Sequence, residues 1–229
     1  VIVVVVRVVS RRLYPGTSLA WLLLVVTVPY IGLALYILIG ERPLGRRRVR
    51  RMHQMSEPLA RWLSGVPAGC RADASAMPLA QGLLARLADA STGFPPLGGA
   101  DVGLLDGAPE ILSAIARDID TARESCDMAF YIWSEGGQAD DVALALERAA
   151  QRGVRCRVLL DSVGSKRFLA SRWRKRLLAA GVRLVAALPV GLVRAAFVRM
   201  DLRLHRKLVV IDGRIAYTGS MNLVDPRFF

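Results

Sequence analysis

The stretch Leu19 to Ile39, LAWLLLVVTVPYIGLALYILI, runs for 21 residues without a charged side chain. No other part of the chain limits the fold so tightly. At about 1.5 Å per residue, a helix of this length matches the ~30 Å hydrocarbon core of a bilayer. The run therefore predicts a transmembrane helix over 19–39, kinked at Pro29, with Trp21 near one interface and Tyr36 near the other. A signal peptide fits poorly, because no small-residue cleavage site followed by polar sequence ends the run. A buried core helix would leave the flanking arginines unexplained. Upstream, VIVVVVRVV is expected to be the end of an earlier span, turning at SRRLYPG.

Charge gives the run a direction. The formal net charge is +13, and between Val1 and Met52 nine arginines (7, 11, 12, 42, 46, 47, 48, 50 and 51) face one acid, Glu41. Six of these arginines follow the run and three precede it, so the positive-inside bias predicts that the large C-terminal part lies on the cytoplasmic side. The same cluster suits anionic lipid headgroups. An aromatic-interleaved basic face of the kind that stacks bases is not apparent, which argues against a nucleic-acid partner. Cys70, Cys126 and Cys156 form no CxxC and have no histidine at metal-ligand spacing. They are expected to be structural thiols in a reducing compartment rather than metal ligands.

The chain divides into a membrane anchor over 1–40, a basic juxtamembrane linker over 41–99 and a folded domain over 100–229. In the linker, HQMSEPLARWLSG and PLAQGLLARLADA carry short helical patterns between segments rich in Gly, Pro and Ser. In the domain, DVGLL (101–105) is a candidate strand before the Asp106-Gly107 turn, and Pro109 opens a helix through Ile111, Ile115 and Ile119 to about Arg123. CDMAFYIW (126–133), VRCRVLLD (154–161) and VRLVAAL (182–188) read as strands. Helices are predicted over 142–153, with Asp140 as a possible cap, and over 169–181. Strands alternating with helices make this an α/β domain with a mixed, largely parallel sheet and flanking helices.

Near the C-terminal end lies HRKLVVIDGRIAYTGSMN. In an extended strand His205 and Lys207 share a face. Asp212-Gly213 marks a hairpin turn, and the returning strand carries Ser220 and Asn222 back toward His205. An imidazole, an ammonium, a hydroxyl and an amide at one sheet end suit attack on a phosphodiester. The imidazole is the nucleophile, and the Lys and Asn donors hold the non-bridging oxygens, without a metal or other cofactor. Each feature alone is ordinary: a lone His near a Lys is usually structural, and the turn and apolar run are common hairpin parts.

The spacing is H-x-K-x4-D-x6-G-S-x-N, through His205, Lys207, Asp212, Gly219, Ser220 and Asn222. It resembles the HKD motif of the phospholipase D superfamily. The N-terminal LAWLLLVVTVPYIGLALYILIGERPLGRRR, YIW at 131–133, LLDSVGSK at 159–166 and DLRLHRKLVVIDG are similar to bacterial cardiolipin synthases, while 52–98 match weakly. Leu204 departs from the pattern, which usually has a polar residue there.

The resemblance implies a phospholipase D-like half-domain behind a transmembrane anchor in a bacterial cytoplasmic membrane. It implies phosphatidyl transfer between two phosphatidylglycerol molecules through a phosphohistidine, giving cardiolipin and glycerol. Phosphatidylethanolamine stays open as the second lipid. His205 is then the candidate nucleophile, Lys207 and Asn222 bind phosphate, Ser220 assists, and Asp212 belongs to the catalytic motif in a supporting role. The family uses two such motifs, and which histidine attacks first stays open. Here there is one, since His53 is followed by Gln54 and Met55. The chain is therefore expected to be the N-terminal part of a two-motif enzyme, with the second half supplied from further along. Two alternatives stand beside this reading. One is a single-motif phosphodiesterase or nuclease completed by homodimerisation, which a membrane anchor disfavours. The other is a membrane-anchored scaffold without activity.

Overall fold

The computed structural model describes residues 2–10, 15–36, 61–189 and 203–228, with Arg50, Gln54 and Pro58 between them. A first compact unit lies within Val1–Ala100 and a second begins at Asp101.

The first unit opens with α1 (Ile2–Ser10), α2 (Pro15–Thr27) and α3 (Pro29–Leu35). The continuous span predicted over 19–39 is corrected here: within the described part of that run the chain forms two helices, broken at Val28. Pro29 has no N–H to continue the ladder, and Val28 leaves the helical region at φ −131°, ψ 74°. After the break α3 packs on α2. Gly32 permits the approach, because a Cβ there would lie 2.5 Å from the Leu24 carbonyl oxygen. Trp21 and Tyr36, expected at opposite interfaces, stack edge-to-face with ring centroids 5.4 Å apart. A continuous helix would separate them by about 22 Å along its axis. Val4, Val8, Val25 and Tyr36 form the small core of this group. Among the described residues, no helix is long and apolar enough to cross a membrane. The arginine cluster between 42 and 51, apart from Arg50, lies outside the described residues, as does His53. The linker contributes α4 (Leu79–Thr92), and residues 61–64 are helical.

The second unit runs α5 (Ala108–Thr121), β1 (Ser125–Phe130), α6 (Gln138–Gln151), β2 (Arg155–Asp161), α7 (Lys166–Ala170), α8 (Arg172–Ala179), β3 (Arg183–Ala187), β4 (Lys207–Ile211) and β5 (Ile215–Thr218). The five strands are ordered β3-β2-β1-β4-β5. The first three are parallel, and β4 and β5 run antiparallel to their neighbours. The sheet is mixed, with parallel and antiparallel pairings in equal number. Residues 101–106 are not a strand, and Val102 and Leu104 are almost fully exposed, so they lack a partner surface. The helix predicted over 169–181 is two. Ser171 stops α7 and caps α8, its hydroxyl accepting from the Trp173 N–H at 3.2 Å.

The core forms where alternate strand residues meet the helices. Cys126, Met128 and Phe130 of β1, Val158 and Leu160 of β2, and Val209 and Ile211 of β4 pack against Leu112, Ile115 and Ile119 of α5 and Val142 and Leu146 of α6. Cys126 and Cys156 are buried neighbours across the β1–β2 pair, and desolvation pushes the Cys156 thiol up to about 11. Parallel β1 and β2 both end at one sheet edge, where antiparallel β4 begins with Lys207 opposite Phe130. That end of the sheet is where His205 and Lys207 lie.

Candidate active site

His205 precedes β4 by two residues and is exposed, whereas Lys207, the first residue of β4, is 7% exposed. The burial aims the ammonium back along the strand. Its Nζ lies 3.1 Å from His205 Nε2 and 3.4 Å from the His205 carbonyl oxygen. An ammonium only donates, so this contact uses the Nε2 lone pair and places the ring proton of a neutral imidazole on Nδ1. A ring nitrogen and an ammonium thus share one hydrogen bond.

Asn222 reaches the same edge from the other side. Its Oδ1 accepts the Ile132 N–H at 3.1 Å. Because a backbone N–H donates, the carboxamide oxygen must face it, which leaves the NH2 group as the donor available to a ligand. The segment is pinned further by Leu223, whose N–H donates to the Ile132 carbonyl and whose carbonyl accepts from Ser134. Ser220 is exposed in the turn between β5 and Asn222. Gly219 stands in open space.

Asp212 is not brought to this cluster. It sits at the far end of β4, five residues beyond Lys207, or about 17 Å at strand rise. Its carboxylate accepts the N–H groups of Ser125 and Glu124 at 2.8 Å and of Arg123 at 2.9 Å. These bonds, with Ser125 foremost, hold its carboxyl below the usual range. Asp212 itself has φ +51°, as the tight turn before Gly213 requires. Its work is to tie the hairpin to the start of β1.

Two residues belong to the site's surroundings although sequence reasoning gave them no role. The Tyr131 ring lies 5.0 Å from the His205 ring, and Lys207 Nζ is 5.6 Å from its centroid. Asp161 is fully buried and binds Arg203 and Leu204, just before His205. Both lie in segments, YIW and LLDSVGSK, whose contact with the motif exists only in the folded chain. Among the described residues no cluster of His, Cys, Asp and Glu has the makings of a metal site.

Residues 115–228 match the family described as cardiolipin synthase, PLD-like domain, and residues 1–41 match a phospholipase D-nuclease N-terminal family. The chain is 45% identical over 226 residues to cardiolipin synthase A of Erwinia tasmaniensis, covering 99% of this chain and 46% of that protein. It is 42% identical to cardiolipin synthase A of Salmonella arizonae, with the same coverage. The chain thus spans about half the length of these curated relatives, matching their N-terminal part. Among solved structures, Nuc from Salmonella typhimurium, a phospholipase D family member, aligns at 21% identity and a TM-score of 0.37, over 49% of this chain and 64% of Nuc. On the family matches and on identity along nearly its whole length, the chain belongs to the phospholipase D-like family of the cardiolipin synthases.

Proposed function

We propose that this chain supplies one half of the active site of a phosphatidyltransferase that converts two phosphatidylglycerol molecules into cardiolipin and glycerol. When the Lys207 ammonium turns to the non-bridging oxygens of the first lipid, the Nε2 lone pair of His205 is freed and attacks the phosphorus. The bond from phosphorus to the headgroup glycerol oxygen breaks, and glycerol leaves with a proton from the histidine of the second motif. A headgroup hydroxyl of the second lipid then attacks the phosphohistidine and gives its proton to the histidine of the second motif. The P–N bond breaks, His205 is restored, and cardiolipin departs. Lys207 and the Asn222 NH2 group hold the non-bridging oxygens, where charge grows in each transition state. Ser220 assists from the adjoining turn, and Asp212 acts through the hairpin rather than on the phosphate. The second motif is expected from the remainder of the two-motif protein.

The observation that carries this reading is the 3.1 Å pairing of His205 Nε2 with a buried ammonium, on a chain so close to proteins named cardiolipin synthase A. A membrane setting is part of the proposal. Ile2, Val3, Leu19, Leu23, Val26 and Tyr30 are each more than half exposed in α1–α3, an apolar surface that suits acyl chains. The arginine bias of the sequence supports a catalytic part on the cytoplasmic side of a bacterial inner membrane.

The test uses the full-length protein in phosphatidylglycerol vesicles, with cardiolipin followed by mass spectrometry. His205→Ala is expected to lower formation by roughly 10³-fold or more, because it removes the group that carries the intermediate. Full activity in that variant sinks the proposal.

A further inference from the structure

Asp161 is a carboxylate with no exposed surface at the end of β2, at the sheet edge that carries the site. A charge in that position is costly unless it is paired and hydrogen-bonded. Here it is both. Oδ1 accepts from Val163 N and Gly164 N, each at 2.9 Å, and from Arg203 Nε at 3.1 Å, with a further bond from Arg203 Nη2. Oδ2 accepts from Leu204 N at 3.1 Å. Arg203 also donates to Ser162 Oγ at 3.1 Å and to the Leu188 carbonyl at 3.3 Å. One side chain therefore fixes its own loop and the two residues directly before His205. Burial pushes the carboxyl up, but the Arg203 guanidinium and the backbone donors outweigh it and hold the group ionised.

The same loop holds the other neighbour of the imidazole. Ser165 Oγ donates to the Tyr131 carbonyl and accepts from Trp133 N, both at 3.0 Å. Gly164 lies so close that a Cβ there would be 2.4 Å from the Tyr131 carbonyl oxygen and 2.9 Å from its ring. Tyr131 in turn packs on His205. The imidazole is exposed, yet its backbone approach and its ring neighbour are both tied to residues 161–165.

We infer that Asp161 is a positioning residue for His205, acting through Arg203 and Leu204, with the loop to Ser165 bracing Tyr131 on the other side. Its meaning for catalysis rests on the phosphatidyltransfer reading. Its meaning for geometry does not. In Asp161→Asn the amide must turn its NH2 group either toward the Leu204 N–H or toward the loop N–H groups, so donor meets donor in both orientations.

The test reads His205 directly. Only two histidines occur in the sequence, so ¹⁵N-histidine labelling leaves His53 as an internal reference. Asp161→Asn is expected to shift or split the His205 imidazole signals and leave those of His53 in place. Should that variant not fold, Arg203→Lys keeps the cation and loses the fork, and the same displacement is expected. Unchanged His205 signals in whichever variant folds overturn the inference. In the vesicle assay on the full-length protein, kcat is expected to fall by about 10–100-fold with KM for phosphatidylglycerol within about threefold, as a misplaced nucleophile requires. Displaced signals in a protein whose wild type makes no cardiolipin sink the function and keep the positioning role. Wild-type synthesis with undisturbed His205 signals and rate in the variant does the reverse.

Discussion

At the scale of single residues, His205 and Lys207 touch each other, while Asp212 lies at the far end of β4. Lys207→Met keeps the length and loses the ammonium, so phosphatidyl transfer is expected to fall by about 10²–10³-fold, as for loss of one donor to a developing oxyanion. Steady-state rates at saturating lipid check it. Asp212→Ala is expected to act on stability instead. Three backbone donors lose their acceptor, at about 1 kcal/mol, the low end for such a loss because the carboxylate is only part-buried. Chemical denaturation measures it. The pH sign follows from the depressed folded-state carboxyl: the stabilisation is complete above the ordinary carboxylate value of about 4 and fades as pH falls through the folded value. The melting temperature of the wild type is thus expected to drop more steeply under acid than that of Asp212→Ala. His205, Lys207 and Asn222 were legible in the sequence because their spacing survives in one dimension. Asp161 was not, since it lies 42 residues before its partner Arg203 and only packing joins them.

At the scale of elements, short aliphatic and aromatic runs bounded by turn signals found β1, β2, β3 and the β4–β5 hairpin. Pattern reading failed where a local stop competes with a longer pattern. Ser171 offers its hydroxyl to the next turn and divides one expected helix into α7 and α8. Pro29 does the same more forcefully to the apolar run, where chain length argued for a span and backbone chemistry gave a fold-back. A cross-linking experiment decides how that fold-back behaves in lipid. With Trp21→Cys and Tyr36→Cys in a Cys70→Ser background, a short bis-maleimide is expected to bridge the pair in vesicles. No bridging in lipid, with both thiols reactive, shows that the helices open there into a single span. Gly32→Val is expected to reduce bridging in either setting, since α3 has no room to approach α2.

For the whole molecule, the distribution of charge and of apolar surface argues for one kind of surroundings. The sequence holds nine arginines against one acid in its first 52 residues, and many large apolar side chains of α1–α3 are uncovered. Binding to phosphatidylglycerol vesicles is expected to exceed binding to phosphatidylcholine vesicles and to weaken as salt rises, by about 1 kcal/mol per arginine at the surface before screening. Flotation at two salt concentrations checks this, and equal binding to both lipids leaves the apolar helices as the sole anchor.

The four residues between Lys207 and Asp212 take part in no chemistry, yet their number has a job. With Lys207 they make up β4, so the motif's fixed spacing is a ruler laid from one end of the strand to the other. At one end the ruler meets His205 through Lys207, and at the other it is nailed to the start of β1. One residue inserted between 208 and 211 would turn every following side chain onto the opposite face and pull both marks out of line together. The gap in this motif therefore records a dimension of the sheet, and its tolerance to change is that of a gauge and not of a linker.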